Sequence, residues 1–313
     1  MSHDRIDVHT HVIPPVWGDA LDAHGGDPSG WKSPEWTPQL CLDFMDKQQI
    51  KTSVLSVTAP SVQGWKGQAQ LDMARQINEY TASLVQKQPD RFGNFATLPL
   101  PNIEGSLKEV EYSFETLKAD GVVILSNYND RYLGEEEYDP LWAELNRRSA
   151  VVFIHPGKPE IPVMQGLPMP LCDYPYDTTR TAMNMVLKGV MKKYTKMKVI
   201  LSHAGGFLPY ASYRFAYLWE GLNKGAVKKE DTLEEFRSFY FDTALSSSPA
   251  SLPSLMAFAK PGHVLYGSDF PYAPAWVGAE FAKLLDAYTG FKGDEFAQIN
   301  RKAAEVLFPR LAK

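Results

Sequence analysis

The sequence predicts an α/β fold of the (β/α)8 or TIM-barrel class, formed as a single domain over residues 1–313 with long loops at the barrel mouth. Two observations lead to this prediction. Eight short apolar, β-branched runs recur from one end of the chain to the other, and stretches with helical spacing lie between them. This alternation is typical of a parallel sheet with crossover helices, and 313 residues is a normal length for one such barrel with insertions.

The eight predicted strands are nearly continuous in apolar residues, as expected for strands covered on both faces. They run from Arg5 to His11, Thr52 to Thr58, Phe92 to Leu98, Gly121 to Leu125, Val151 to His155, Val199 to His203, Phe239 to Thr243 and Val264 to Asp269. An open doubly wound sheet is the alternative fold. That sheet would need a glycine-rich phosphate turn after its first strand, where this chain has His9-Thr10-His11.

Helical spacing of apolar residues follows each predicted strand. The predicted helices are Gln39 to Gln49, Leu71 to Gln88, Ile103 to Ala119, Pro140 to Arg148, Thr181 to Tyr194, Tyr210 to Leu222, Ala250 to Ala259, Ala279 to Tyr288 and a last one at Gly293 to Leu307. Three long predicted loops, Val12 to Pro38, Pro156 to Asp177 and Leu245 to Pro249, follow the C-terminal ends of strands. Barrels of this class build their active sites at that end.

Composition and charge exclude several classes of protein. Hydrophobic residues make up 44% of the chain and charged residues 22%, enough to bury a full core. A formal net charge of −5 argues against nucleic acid or a membrane surface as the main partner. The chain has only two cysteines, no apolar run long enough to span a membrane and no secretory signal at its start. We therefore expect a cytoplasmic protein.

His9 and His11 stand at the end of the first predicted strand with one residue between them. Residues two positions apart on a strand point to the same face, so both imidazoles are expected on one side at the barrel mouth. Two neutral imidazoles on one face can chelate a metal such as Zn²⁺. The alternative is a pair of polar residues that simply ends the strand.

Further ionisable residues end three more predicted strands: His155 the fifth, His203 the sixth and Asp269 the eighth. Each alone could be a buried polar group satisfied by hydrogen bonds. Together, however, four of the seven histidines and one aspartate fall at the same end of the predicted barrel. Buried ionisable groups are costly unless they are paired or bind a metal, so the cluster predicts a metal site.

These strand ends resemble the amidohydrolase superfamily, and within it the branch similar to aminocarboxymuconate semialdehyde decarboxylase. The resemblance covers nearly the whole chain. It rests on the segments Asp7-Val8-His9-Thr10-His11, Ser126-Asn127, His155-Pro156, Ser202-His203-Ala204-Gly205-Gly206 and Tyr266-Gly267-Ser268-Asp269-Phe270-Pro271. The loop Gly26-Asp27-Pro28-Ser29-Gly30-Trp31 also resembles the fungal 6-methylsalicylate decarboxylases of this branch.

The resemblance implies His9, His11, His155 and Asp269 as metal ligands and His203 as the catalytic histidine beside the metal. Zn²⁺ is the implied ion, with Mn²⁺ as the alternative, at one ion per subunit, because no lysine ends a middle strand to bridge a second ion. Three histidines and one carboxylate leave a coordination position open for water or substrate. The resemblance also implies a homodimer.

Four residues are candidates for binding the substrate. Asn127 follows the end of the fourth strand, although it could equally be a turn residue, and Arg180 could hold a carboxylate or lie at the surface or an interface. Trp31 is expected to wall an aromatic pocket, or else to pack within its loop. Phe270 follows Asp269 and is expected beside the site.

The expected function is non-oxidative decarboxylation of a small carboxylic acid, an ortho-hydroxy aromatic acid similar to 6-methylsalicylate. The metal would hold the carboxylate and the phenolate, and Asp269 and His203 would supply acid and base catalysis. The alternatives are metal-dependent hydrolysis of a lactone or amide, decarboxylation of a muconate-type acid, and a barrel that binds a ligand without catalysis.

Overall fold

Eight parallel strands form one sheet whose spatial order follows the chain, in a computed structural model that describes residues 4–129, 131–159 and 163–312. The strands are β1 (Arg5–His11), β2 (Ile50–Ser56), β3 (Phe92–Thr97), β4 (Gly121–Leu125), β5 (Val151–His155), β6 (Lys198–Leu201), β7 (Tyr240–Asp242) and β8 (Val264–Leu265). The chain beyond β8 returns to β1, where His11 N–H donates to Phe270 O at 2.7 Å and Asp269 N–H to His9 O at 2.8 Å. The sheet is therefore a nearly closed barrel, which confirms the predicted fold class.

Helices surround the sheet. They are α1 (Pro15–Ala23), α2 (Pro38–Lys47), α3 (Gln68–Lys87), α4 (Ile103–Glu115), α5 (Asp139–Arg147), α6 (Asp173–Leu187), α7 (Val190–Lys193), α8 (Leu208–Leu222), α9 (Lys229–Phe236), α10 (Ser251–Phe258), α11 (Ala275–Ala287), α12 (Glu295–Ala297) and α13 (Ala303–Leu307). Local sequence fixes several of their ends. Thr37 caps α2 by accepting from Leu40 N–H at 3.1 Å, and Asn102 caps α4 by accepting from Gly105 N–H at 2.9 Å.

The barrel interior is filled with side chains and is not a pore. Inward-facing apolar residues of the strands, among them Ile6, Val54, Phe95 and Phe153, form one buried cluster. The C-terminal segment, including Phe308, packs into the same cluster and covers the end at which the strands begin. The remaining opening is at the C-terminal ends of the strands, so polar groups that point inward there face a cavity.

The structure differs from the predicted elements mainly at their ends. Helix α1 lies inside the predicted loop from Val12 to Pro38, and α9 lies in a charged stretch for which no helix was predicted. The last predicted helix is divided, because a π-helical turn at Gln298–Lys302 separates α12 from α13. Strands β6 and β8 end at Leu201 and Leu265, before the residues predicted to end them. Among the described residues, we find no helix both long and apolar enough to cross a membrane.

Candidate metal centre

His9 and His11 reach the interior because β1 contains an irregularity. The register with β2 pairs Asp7 with Ser53 and then Thr10 with Leu55, so β1 has one extra residue between these pairs. Such a bulge shifts which residues point inward. Ile6 lies in the interior cluster, yet the odd-numbered His9 also faces it, with its ring 5.0 Å from that of Phe153.

Four side chains converge at the mouth end of the barrel. His9, His11, His155 and Asp269 each offer one ligand atom, and these atoms all lie within 4.8 Å of one another. Asp269 Oδ1 is 3.2 Å from His9 Nε2 and 3.1 Å from His11 Nε2. All four residues are buried. The structure thus brings together the four residues for which the sequence predicts metal binding.

The outer ring nitrogens of the three histidines are already engaged. His11 Nδ1 lies 3.2 Å from Ser56 O and His155 Nδ1 lies 2.9 Å from Pro156 O. A carbonyl oxygen only accepts, so each of these Nδ1 atoms carries the proton and leaves its Nε2 with a lone pair. His9 Nδ1 contacts Asp242 Oδ2 at 2.8 Å. This arrangement of outer partners is typical of histidines that bind a metal through Nε2.

Asp242 has no role in the sequence-based prediction, although it ends β7 at the same mouth. Besides His9, its carboxylate accepts from His203 N–H at 2.9 Å and from Ala244 N–H at 2.9 Å. It is completely buried. Its position one residue before the end of the predicted seventh strand was the only sequence signal that could have identified it. Asp242 orients His9 and the backbone of His203 at once.

Burial and the two carboxylates set the protonation of this cluster. Burial disfavours a charge on His9, but the negative charges of Asp242 and Asp269 outweigh it and raise the pKa of His9 to about 10. Burial lowers the pKa of His11 and lowers that of His155 further. Burial also opposes ionisation of Asp269, yet the charge on His9 and hydrogen bonds from the histidines hold its pKa well below the usual value.

His203 stands beside the four convergent residues in a strained backbone conformation. It follows β6 with φ at 52°, and Asp269 has φ at 63°, both in the left-handed region that non-glycine residues rarely adopt. His203 Nε2 lies 3.4 Å from Asp269 Oδ2, the oxygen that faces away from His9 and His11. His203 Nδ1 is buried and has no hydrogen-bond partner among the described residues.

A cavity of about 740 Å³ opens above these groups. His155, His203 and Asp269 form part of its lining, and apolar side chains such as Leu255, Val277 and Phe281 line the rest. Trp31 also lines it and is fixed by a hydrogen bond from its Nε1 to Tyr272 O at 3.1 Å. The Tyr272 hydroxyl is buried without a partner among the described residues. The cavity can therefore enclose a small aromatic ligand.

Of the four residues predicted to bind substrate, Trp31 lines this cavity and the other three do not. Asn127 uses its amide to donate to Asp177 Oδ2 at 2.7 Å and to Lys158 O at 3.0 Å, so it holds α6 against the chain after β5. The Phe270 ring stacks on Phe44 at 4.2 Å and is part of the core.

Arg180 lies on α6 with its guanidinium 5.1 Å from the Tyr132 ring and 5.7 Å from the Tyr176 ring. It therefore packs against aromatic rings outside the cavity. Sequence position alone could not reveal these arrangements, because each depends on a residue distant in the chain.

The donor set fits one metal ion. Three imidazole nitrogens and one carboxylate oxygen, all buried and all within 4.8 Å of one another, match the ligands that Zn²⁺ takes in proteins. Manganese accepts the same donors with a stronger preference for oxygen. His203 shares the cavity but bonds to Asp269 rather than joining the four convergent groups. Such a ligand set leaves room for an oxygen of a substrate.

The chain is similar to known amidohydrolases and decarboxylases. The profile of the Amidohydro_2 family, described as amidohydrolase, matches residues 6–310. The chain is 43% identical to Decarboxylase yanB of Aspergillus niger over 98% of this chain and 88% of that protein. It is also 43% identical to a 6-methylsalicylic acid decarboxylase of Penicillium expansum over 98% of this chain and 97% of that protein. A crystal structure described as amidohydrolase II superposes with a TM-score of 0.90 at 34% identity, covering 97% of this chain and 99% of the other.

Proposed function

The chain belongs to the amidohydrolase family, whose profile spans residues 6–310, and from this membership we propose that it is a metal-dependent, non-oxidative decarboxylase. The substrate would be a small ortho-hydroxy aromatic acid of the 6-methylsalicylate type. The observation that carries this proposal is the convergence of His9, His11, His155 and Asp269 at the base of a cavity that aromatic side chains help to line. The two relatives at 43% identity, both named as decarboxylases, support it.

We propose that His9, His11, His155 and Asp269 hold one ion per subunit, Zn²⁺ by preference and Mn²⁺ as the alternative. The three imidazoles are neutral ligands only when their Nε2 atoms carry no proton, and the outer contacts to Ser56 O and Pro156 O favour that tautomer for His11 and His155. When bound, the ion would attract the carboxylate and phenolate oxygens of the substrate.

Decarboxylation replaces one carbon–carbon bond by one carbon–hydrogen bond. The bond between the ring and the carboxylate breaks, CO₂ leaves, and the ring carbon takes up a proton, so no oxidant is consumed. Asp269 Oδ2 and His203 Nε2 are 3.4 Å apart, close enough to pass a proton as the substrate shifts. In this proposal His203 accepts the proton of the phenol, and Asp269 or His203 delivers one to the ring carbon.

The cavity would orient the ring and exclude water. Trp31 is anchored to the Tyr272 backbone, and the ring of Tyr272 lies edge-on to that of His11 at 5.4 Å. A planar ring placed between these walls keeps its carboxyl carbon close to the catalytic pair. Trp31 is therefore the one substrate-binding residue of the sequence prediction that we retain.

We also propose a homodimer in the cytoplasm. Helix α8 exposes the large side chains of Tyr210, Tyr213, Tyr217 and Leu222, which would suit a subunit interface. Cys41 and Cys172 are both free thiols, which suits a reducing compartment. The subunit count would follow from light scattering of the purified protein.

The decisive experiment measures CO₂ release by the metal-loaded protein from 6-methylsalicylate, salicylate, 2,6-dihydroxybenzoate and 5-carboxyvanillate. We expect 6-methylsalicylate to give CO₂ and 3-methylphenol, and a strong chelator to stop the reaction. Absence of CO₂ from every acid, with metal shown to be bound, would overturn the proposal. A panel of lactones would then test the hydrolase alternative.

A further inference from the structure

We propose that Asp27 makes the cavity selective for aromatic acids with a single carboxylate and apolar ring substituents, and against acids with a second carboxylate. This inference rests on the proposed function, because it concerns the substrate of the same site. It adds a specificity-determining residue on a loop that lies outside the metal centre.

The cavity lining contains acidic side chains and histidines but, among the described residues, no lysine or arginine. Its ionisable residues other than tyrosine are Asp27, His155, His203 and Asp269, and all but Asp27 belong to the metal centre described above. A substrate carboxylate can therefore find a positive partner only at the metal centre. Any second carboxylate would leave water without a compensating charge, which is unfavourable.

Asp27 itself lacks a compensating cation. Its Oδ1 accepts from Ser29 N–H at 2.8 Å, and no lysine or arginine of the described chain forms an ion pair with it. Burial raises the pKa of Asp27, as expected for a carboxylate in such surroundings. Its charge is also felt across the cavity: after burial, it is the largest cause that raises the pKa of Tyr174 and of Tyr272.

The loop holds Asp27 in place. Gly26 and Gly30 flank the turn with φ at 84° and 79°, conformations that glycine adopts readily. Ser29 is buried, and its carbonyl accepts from Met169 N–H at 3.0 Å, while its Oγ accepts from Trp31 N–H at 3.2 Å. These contacts tie the loop to the chain before α6. Asp27 is therefore a fixed part of the cavity wall. A second anionic group in the cavity would find no cation to pair with and would be repelled by the charge of Asp27.

The test compares substrates that differ in one group. Each pair is a methylsalicylate and the same acid with carboxylate in place of methyl, at ring position 4, 5 or 6; for position 6 the pair is 6-methylsalicylate and 3-hydroxyphthalate. We expect kcat/KM of the wild-type enzyme to favour the methyl member by at least about 100-fold in every pair, because a second carboxylate would meet a like charge and no cation in the cavity.

Two variants assign this selectivity to Asp27. Asp27→Asn keeps an acceptor for Ser29 N–H but removes the charge. We expect it to reduce the ratio of kcat/KM for the methyl member to kcat/KM for the carboxylate member by about tenfold. Asp27→Ser, whose hydroxyl is a shorter acceptor, should reduce this ratio by a similar factor. It provides a second test if Asp27→Asn does not fold. Asp22→Asn is the matched control, because Asp22 is exposed on α1, does not line the cavity and also acts on Tyr272. It should leave the ratio unchanged.

The outcomes separate this inference from the proposed function. If no methylsalicylate releases CO₂, the proposed function fails. If the methylsalicylates react and the diacids react equally well, the selectivity is absent and the inference is wrong. A strong wild-type preference that folded Asp27→Asn and Asp27→Ser both retain would also overturn the role of Asp27.

Discussion

Both ends of the barrel bury charged groups, but the partners of those groups differ between the two ends. At the end where strands begin, Arg5 donates to Asn300 Oδ1 at 2.7 Å, pairs with Asp286 and lies over the Tyr266 ring at 4.8 Å. At the mouth, by contrast, His9 Nε2 and His11 Nε2 lie 3.1 Å apart and Asp269 Oδ1 is about equally close to both.

A buried charged group indicates a ligand site only when the chain does not supply its partners. At the closed end the chain itself supplies the partners of Arg5, so this buried charge belongs to the fold and not to a ligand site. At the mouth, the Nε2 atoms of His9 and His11 face each other at 3.1 Å, and His203 Nδ1 has no partner among the described residues. Buried polar groups that find no partner in the chain are expected to bind a ligand. The mouth, and not the closed end, is therefore the candidate site.

The largest effect is expected when the mouth loses one ligand. His11→Ala should lose bound metal and reduce decarboxylation by at least about 1,000-fold, since removing a ligand removes the ion that binds the substrate. Metal content by elemental analysis and CO₂ release measure the two effects.

His263→Ala is the matched control for this change. His263 is a half-buried histidine before β8, at the closed end, where its ring stacks on Tyr240 at 4.0 Å and its Nδ1 contacts Phe239 O at 2.9 Å. The variant should keep its metal and its turnover. Metal retained by His11→Ala, or lost by His263→Ala, would contradict the contrast between the two ends.

A second change tests whether His203 acts in catalysis without binding the metal. His203→Asn should reduce kcat by about 1,000-fold while the metal content stays close to that of the wild type, because His203 bonds to Asp269 and is outside the four-ligand set. Loss of the metal from this variant would show that His203 is a ligand and that the assigned role is wrong.

At the closed end the expected effect is on stability alone. Arg5→Met should lower the free energy of unfolding by about 2 kcal/mol, because it removes the buried guanidinium from its pair with the partly exposed Asp286 and leaves Asn300 Oδ1 without its donor. Chemical denaturation measures the loss, and kcat of the folded fraction should not change. A variant with normal stability and impaired kcat would reverse the functions that we assign to the two ends.

The change predicted to affect the metal-loaded enzyme least is a dependence of stability on pH that appears after chelation. Because Asp242 and Asp269 raise the pKa of His9 to about 10, the folded metal-free protein keeps a proton that the unfolded chain releases near pH 6.5. This contribution to stability is complete below pH 6.5 and is lost as the pH rises to 10. The Tm of chelated protein should therefore fall between pH 7 and pH 9.5, and that of metal-loaded protein should fall less. Equal slopes would contradict the protonation assigned to His9.

Much of the fold could be read from the sequence because the barrel strands are continuous apolar runs. All eight lie where the runs predict, and β1, β4 and β5 have the predicted bounds. The errors fall at the mouth. Tyr266 to Asp269 were predicted as strand, but Asp269 adopts φ at 63° and its N–H bonds to His9 O, so the ladder ends at Leu265. The same residues that carry the site thus break the regular pattern on which the prediction depends.

The sequence by itself determined the barrel class and the five ionisable residues at strand ends, since apolar periodicity and the position of a polar residue at a strand end are local properties. Only the tertiary structure decided which groups meet. The bulge in β1 turns His9 inward, Asp242 reaches it from β7, two strands away, and Asn127 is drawn away from the cavity by Asp177. These contacts join residues far apart in the chain, and their geometry depends on how the sheet closes, which no local pattern records.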